Sequence, residues 1–149
     1  MNDKIEKYMS QNIDNPIYLF HGSPKKLTEI KTHLSHDSNN DENNIANAVF
    51  LFPSFLKATP YAFKDSIKEN SKDLDWDFII PNDDNFPLMK MKNVNIDESI
   101  IGYIYVFEKS EDMIKDEKTY QYKCFHDLIP IDVVKITYRE FKHYFKIEN

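Results

Sequence analysis

Two stretches of this 149-residue sequence carry side chains whose types and spacing could do chemistry. The first is Tyr18-Leu19-Phe20-His21-Gly22-Ser23-Pro24, an apolar run ending in a histidine beside one of only two glycines in the chain. Average usage would supply roughly ten. Glycine is needed where φ is positive or where a Cβ would block a close approach. The stretch therefore reads as a strand ending in a polar corner with exposed backbone donors. Such a corner suits a ligand, and it also suits a plain strand-ending turn that carries a histidine. The second stretch is Cys124-Phe125-His126, where period-2 geometry puts thiol and imidazole on one face of a strand. As nucleophile and base the pair has no orienting group or oxyanion donor close by in sequence. A half-buried strand cysteine is the simpler reading, with His126-Asp127 as a hydrogen-bonded pair at the strand end. The adjacent carboxylates Asp83 and Asp84 read as a solvated acidic turn, and His33 and His36 as solvated flanks of a polar loop.

Composition limits what these groups can be. Two glycines cannot build a phosphate-cradling Gly-rich loop, a dinucleotide Gly-x-Gly-x-x-Gly turn or a Gly-x-Ser-x-Gly elbow. One cysteine allows no intrachain disulfide and no Cys₄ or Cys₂His₂ zinc site. A net charge of -6 argues against general nucleic-acid affinity, which relies on Lys and Arg neutralising phosphates. The start of the chain is polar and no apolar run nears 18 residues, so a cytoplasmic chain with no membrane partner is expected. The length suits one domain over residues 1–149, and a 41% hydrophobic content can fill its core.

The elements that must position these residues are short. Ile5, Tyr8 and Met9 give one apolar face to a helix over residues 1–12. Strands are predicted over 17–21 and 47–52, separated by Leu27 and Ile30 in a turn or loop and by a polar loop over 35–44. Pro60 argues against one helix running from Ser54, so Thr59 is the expected N-cap and Pro60 the first helical residue, with the helix continuing to Glu69. Further strands are predicted over 76–80, 86–91, 100–107, 120–125 and 131–138. Phe141, Tyr144 and Phe145 suggest a C-terminal helix over 139–147. Six or seven strands and three short helices without βαβ alternation favour an α+β domain with a split, mainly antiparallel or sandwich-like sheet.

Three segments in this order resemble the ADP-ribosyltransferase-like superfamily, on its poly(ADP-ribose) polymerase and diphtheria-toxin side and among its small bacterial members. Tyr18 to Pro24, followed by Leu27 and Ile30, resembles the family's first strand with its His-Gly-Ser/Thr motif. Ala48-Val49-Phe50-Leu51-Phe52, followed by Ala58 and Ala62, resembles its second segment. Gly102 to Phe107, Gln121 to Pro130 and Val133 to Ile136 resemble its closing strands. The resemblance implies a split-sheet cleft that binds NAD, as substrate or ligand, through the nicotinamide-ribose half. His21 would match the histidine that bonds the ribose hydroxyl, and Gly22 the glycine whose backbone holds the nicotinamide amide, with Ser23 beside it. Phe52 or Tyr61 would stack on the ring. The family's second-strand tyrosine aligns with Val49, and its catalytic glutamate with Gln121, which carries no charge to stabilise an oxocarbenium ion. Glu117 would replace that charge only if its loop shifts. The RNA 2′-phosphotransferase branch depends on arginines, whereas this chain has Arg139 alone. The resemblance thus implies an NAD-binding domain, with ADP-ribose transfer to an acceptor open. The alternative is a catalytically inactive protein-interaction domain on the same fold, with a protein partner.

Overall fold

The computed structural model describes residues 2–35, 46–71, 75–82 and 86–148. In chain order the elements are α1 (Asp3–Met9), β1 (Tyr18–Ser23), β2 (His33–Ser35), β3 (Ala46–Leu51), α2 (Phe55–Asn70), β4 (Asp77–Ile79) and β5 (Met89–Lys92). They continue with β6 (Ile101–Glu108), β7 (Ile114–Lys115), β8 (Tyr122–Cys124), β9 (Asp132–Thr137), α3 (Tyr138–Phe141), a 3₁₀ helix (Lys142–Tyr144) and β10 (Phe145–Glu148). Among the described residues no helix is long and apolar enough to cross a membrane.

The strands form three small sheets, in the orders β1-β6-β9, β2-β3-β8-β7 and β10-β5-β4. Among the described residues all strand pairings are antiparallel except β10 with β5. This is the α+β kind expected from the pattern of elements. The first two sheets meet where Phe20 and Phe52 exchange backbone hydrogen bonds of 2.8 Å in each direction. Gln11 secures the same seam. Its side-chain nitrogen donates to the carbonyls of Tyr18 and Pro53, and its oxygen accepts from the amides of Ile17 and Tyr18.

β6 lies in the middle of its sheet, and alternate residues face two separate cores. Ile104 and Val106 pack with Phe20, Val134 and Ile136 beneath α1 and α2. Tyr105 and Phe107 pack on the other side with Leu19, Val49, Leu51, Tyr122 and Cys124. A strand covered on both faces reads as an almost unbroken apolar run, as β6 does.

Both glycines lie under α2. A Cβ on Gly22 would stand 2.1 Å from the Ala58 carbonyl oxygen and 2.9 Å from the Ala62 nitrogen. On Gly102 it would stand 2.5 Å from the Ala62 oxygen and 2.7 Å from its Cβ. Neither glycine has a positive φ. The close approach at Gly22, expected for a ligand, is made by the helix backbone itself.

Several local expectations are corrected. α2 is one helix through Pro60, capped by the Ser54 side chain accepting from the Lys57 amide. Pro60 has no amide for the Leu56 carbonyl, and the Thr59 hydroxyl donates to that carbonyl at 2.7 Å instead. The C-terminal helix stops at Phe141. The chain passes through the 3₁₀ helix into β10, where Phe145 and Ile147 align with Met89 and Met91 in a parallel pairing. β8 does not alternate, because Lys123 is also buried, against Asp116. The strand expected from Phe86 begins at Met89, and His33 belongs to β2. His36, Asp83 and Asp84 lie outside the described residues.

Candidate functional site

A recess of about 100 Å³ opens between the β3–α2 junction, the β7–β8 hairpin and the segment joining β4 to β5. Three of the residues singled out in the sequence meet there: Phe52, Tyr61 and Gln121. Each arrives for a local reason. Phe52 is the first residue past β3 and is fixed by its bridge to Phe20. Tyr61 follows Pro60 one turn and a half into α2, and its ring stacks on Phe52 with centroids 5.2 Å apart and planes 30° apart. Gln121 ends the hairpin turn, where its carbonyl accepts from the Asp116 amide at 2.7 Å.

Tyr120, just before it, has φ 58° and also lines the recess. A bulky residue in the left-handed region costs of order 1–3 kcal/mol and persists where its surroundings hold it. The opposite wall is the start of α2. Ser54 and Lys57 line the recess, and no acidic residue occupies the first turn. The amide ends of that turn carry partial positive charge. The recess therefore combines the stacked Phe52–Tyr61 pair, Gln121, the start of α2 with Lys57, and the acidic Asp14.

The other expected site residues lie elsewhere. His21 shares the face of Leu19, whereas Phe52 packs into the core on the Phe20 side. The His21 Nδ1 lies 2.9 Å from the Phe50 carbonyl. Burial pushes its imidazole below the ordinary histidine range, and the Phe50 carbonyl offsets part of that shift. Ser23 is buried and accepts from the Lys25 amide. The loop that follows is held by Tyr105, whose hydroxyl donates to the Lys25 carbonyl and accepts from the Leu27 amide. Glu117 is exposed on the β7–β8 turn and does not line the recess.

Cys124 is fully buried rather than half-buried, and burial pushes its thiol up. His126 pairs with the Asp127 carbonyl through Nδ1, the hydrogen-bond pair expected at the strand end, and with Asp112 through Nε2. The Asp127 carboxylate accepts from the Thr32 amide. Both ring nitrogens are thus engaged, and neither serves the thiol as a base.

Sequence reasoning missed Lys57 and Tyr120. Lys57 was legible as a cation in the first turn of a helix that starts at Ser54, a start obscured by Pro60. No family model, no curated protein and no solved structure matches the chain. The described residues form an α+β fold of three small sheets, with a recess lined by the stacked Phe52–Tyr61 pair.

Proposed function

We propose that the recess binds the nicotinamide end of NAD, or the ring of a related nucleotide, in an ADP-ribosyltransferase-like domain whose ring site is formed without His21 and Gly22. The observation that carries the reading is the meeting of Phe52, Tyr61 and Gln121, which arrive from three separate segments. A planar ring stacks on the aromatic pair. The Gln121 amide offers both a donor and an acceptor to a carboxamide or a ribose hydroxyl. The α2 N-terminus favours an anionic phosphate at the mouth. The volume is below the roughly 300 Å³ of drug-sized pockets, so one ring enters while the rest of a dinucleotide stays at the surface. Gln121 has no charge to stabilise an oxocarbenium ion, so the activity assigned is binding, with transfer of ADP-ribose not assigned. Isothermal titration with NAD and with nicotinamide tests the reading. Heat and a thermal shift that both disappear in Tyr61→Ala are expected. A folded protein that shows neither at millimolar NAD would overturn it.

One surface favours the alternative of a protein-interaction domain. Ile17, Ile129 and Ile131 are 65%, 74% and 58% exposed at the end of the β1-β6-β9 sheet. That reading predicts a binding partner whose affinity falls with Ile131→Asp and is indifferent to Tyr61→Ala.

A further inference from the structure

Asp112, Cys124 and His126 bring a carboxylate oxygen, a thiol sulfur and an imidazole nitrogen within 4.8 Å of one another. The β7–β8 register makes this cluster: Ile114 pairs with Lys123, so the turn carrying Asp112 lies beside the end of β8 and the residues after it. The Asp127 carbonyl can only accept, so at 3.0 Å the Nδ1 of His126 must carry the proton. In a neutral ring Nε2 is then a lone pair, and it faces the carboxylate of Asp112, another acceptor. Two acceptors in contact require something positive: a second proton on the ring as the pair stands, or a cation once the two side chains part.

The surroundings also suit a cation. Ligating histidines commonly donate their other nitrogen to a backbone carbonyl, which fixes the tautomer and the ring orientation. Asp112 is oriented in turn by the Ser110 hydroxyl. The His126 backbone amide donates toward the Cys124 sulfur. Asp112 and His126 have side chains 49% and 57% exposed, so an ion enters from solvent and meets Cys124 at the bottom.

We propose that Asp112, Cys124 and His126 form a binding site for a zinc-type divalent cation. A thiolate, an imidazole and a carboxylate suit zinc, and their soft and borderline donors disfavour magnesium and calcium. Zinc takes sulfur at about 2.3 Å and nitrogen or oxygen at about 2.0–2.2 Å, so ligand atoms about 3–4 Å apart fit one tetrahedral ion. Small rotations of the two exposed side chains part Nε2 and the carboxylate oxygen to that separation and bring both toward the sulfur. On binding, the Cys124 S–H bond breaks, its proton goes to water, and the sulfur lone pair forms the bond to the metal. Three protein ligands leave the fourth position to water. The site lies apart from the recess, so it stands or falls independently of NAD binding.

The test uses the full chain titrated with Zn²⁺ against a chromophoric chelator, and with Co²⁺ followed by absorption. One ion per chain is expected, with a thiolate-to-cobalt charge-transfer band. Cys124→Ser should lose the band. Asp112→Asn and His126→Ala change exposed side chains, so their folds should survive, and each should weaken affinity about tenfold or more. Absence of the charge-transfer band, absence of zinc binding, or zinc affinity unchanged in folded His126→Ala would overturn the proposal.

Discussion

Gly22→Ala probes the helix–sheet contact most directly. The new Cβ would sit 2.1 Å from the Ala58 carbonyl oxygen and 2.9 Å from the Ala62 nitrogen, both backbone atoms of α2. Ordinary contact begins near 3.4 Å, so the carbonyl must withdraw by roughly 1.3 Å. No rotamer change can supply that, because the atom belongs to the helix. Overpacking of this kind costs about 1–3 kcal/mol and sometimes more. The alanine gains about 0.4–1 kcal/mol through a less flexible unfolded chain. With backbone against backbone the upper end of the cost applies, and the net loss is about 2 kcal/mol or more. Urea unfolding followed by circular dichroism reads this as a lower midpoint at unchanged slope. Ala58→Gly in the same chain should give no rescue, because it removes a side chain that is not the obstacle. A Gly22→Ala protein within about 0.5 kcal/mol of the parent, the range of an ordinary surface change, would refute the reasoning.

Three further outcomes follow from the geometry. His21 has a lowered folded pKa, so the unfolded chain binds more protons below about 6.5 and stability falls as pH drops through that value until the folded group also titrates. His21→Gln, which keeps a donor toward the Phe50 carbonyl, should flatten that part of the melting temperature against pH; an unchanged slope would exclude His21 as its source. Tyr120→Gly should raise the unfolding free energy by about 1 kcal/mol by relieving the left-handed residue, while weakening ligand binding at the recess. Lys123 and Asp116 are 10% and 8% exposed and 3.0 Å apart, so Lys123→Met leaves a nearly buried carboxylate unpaired and should cost about 3 kcal/mol in urea. Burial alone would raise the Asp116 pKa, but the Lys118 amide and the Lys123 ammonium outweigh it and hold it low. Its contribution is therefore present above the unfolded carboxylate value and lost as pH falls through the folded one. The loss on substitution should shrink toward pH 3.

Strands with long apolar runs were legible before the structure, β6 above all, because a strand buried on both faces has few polar positions to confuse its pattern. The Gly22 position was legible as a close approach but not as to what approaches, since the partner lies more than thirty residues along the chain. Pro60 misled because its cost depends on whether some other group meets the orphaned Leu56 carbonyl, and Thr59, its immediate neighbour, does so. β10 resembled a helix because Phe141, Tyr144 and Phe145 have helical spacing. The open edge of β5 captures the chain after that turn, and no local pattern reports an available edge. At the recess, Phe52, Tyr61 and Gln121 were identifiable as individual residues. His21 was grouped with them because a one-dimensional motif does not show that it faces the other side of its sheet.

Gln11 has a consequence for how the molecule holds together in time. One uncharged side chain completes four backbone hydrogen bonds at the line where two sheets touch. The helix that delivers it has 7 residues, shorter than a helix that is stable alone in water. Each therefore lends the other its order, and the N-terminal helix and the seam should open as one unit. Hydrogen exchange at the Ile17 and Tyr18 amides should then report the same opening free energy as the amides of α1.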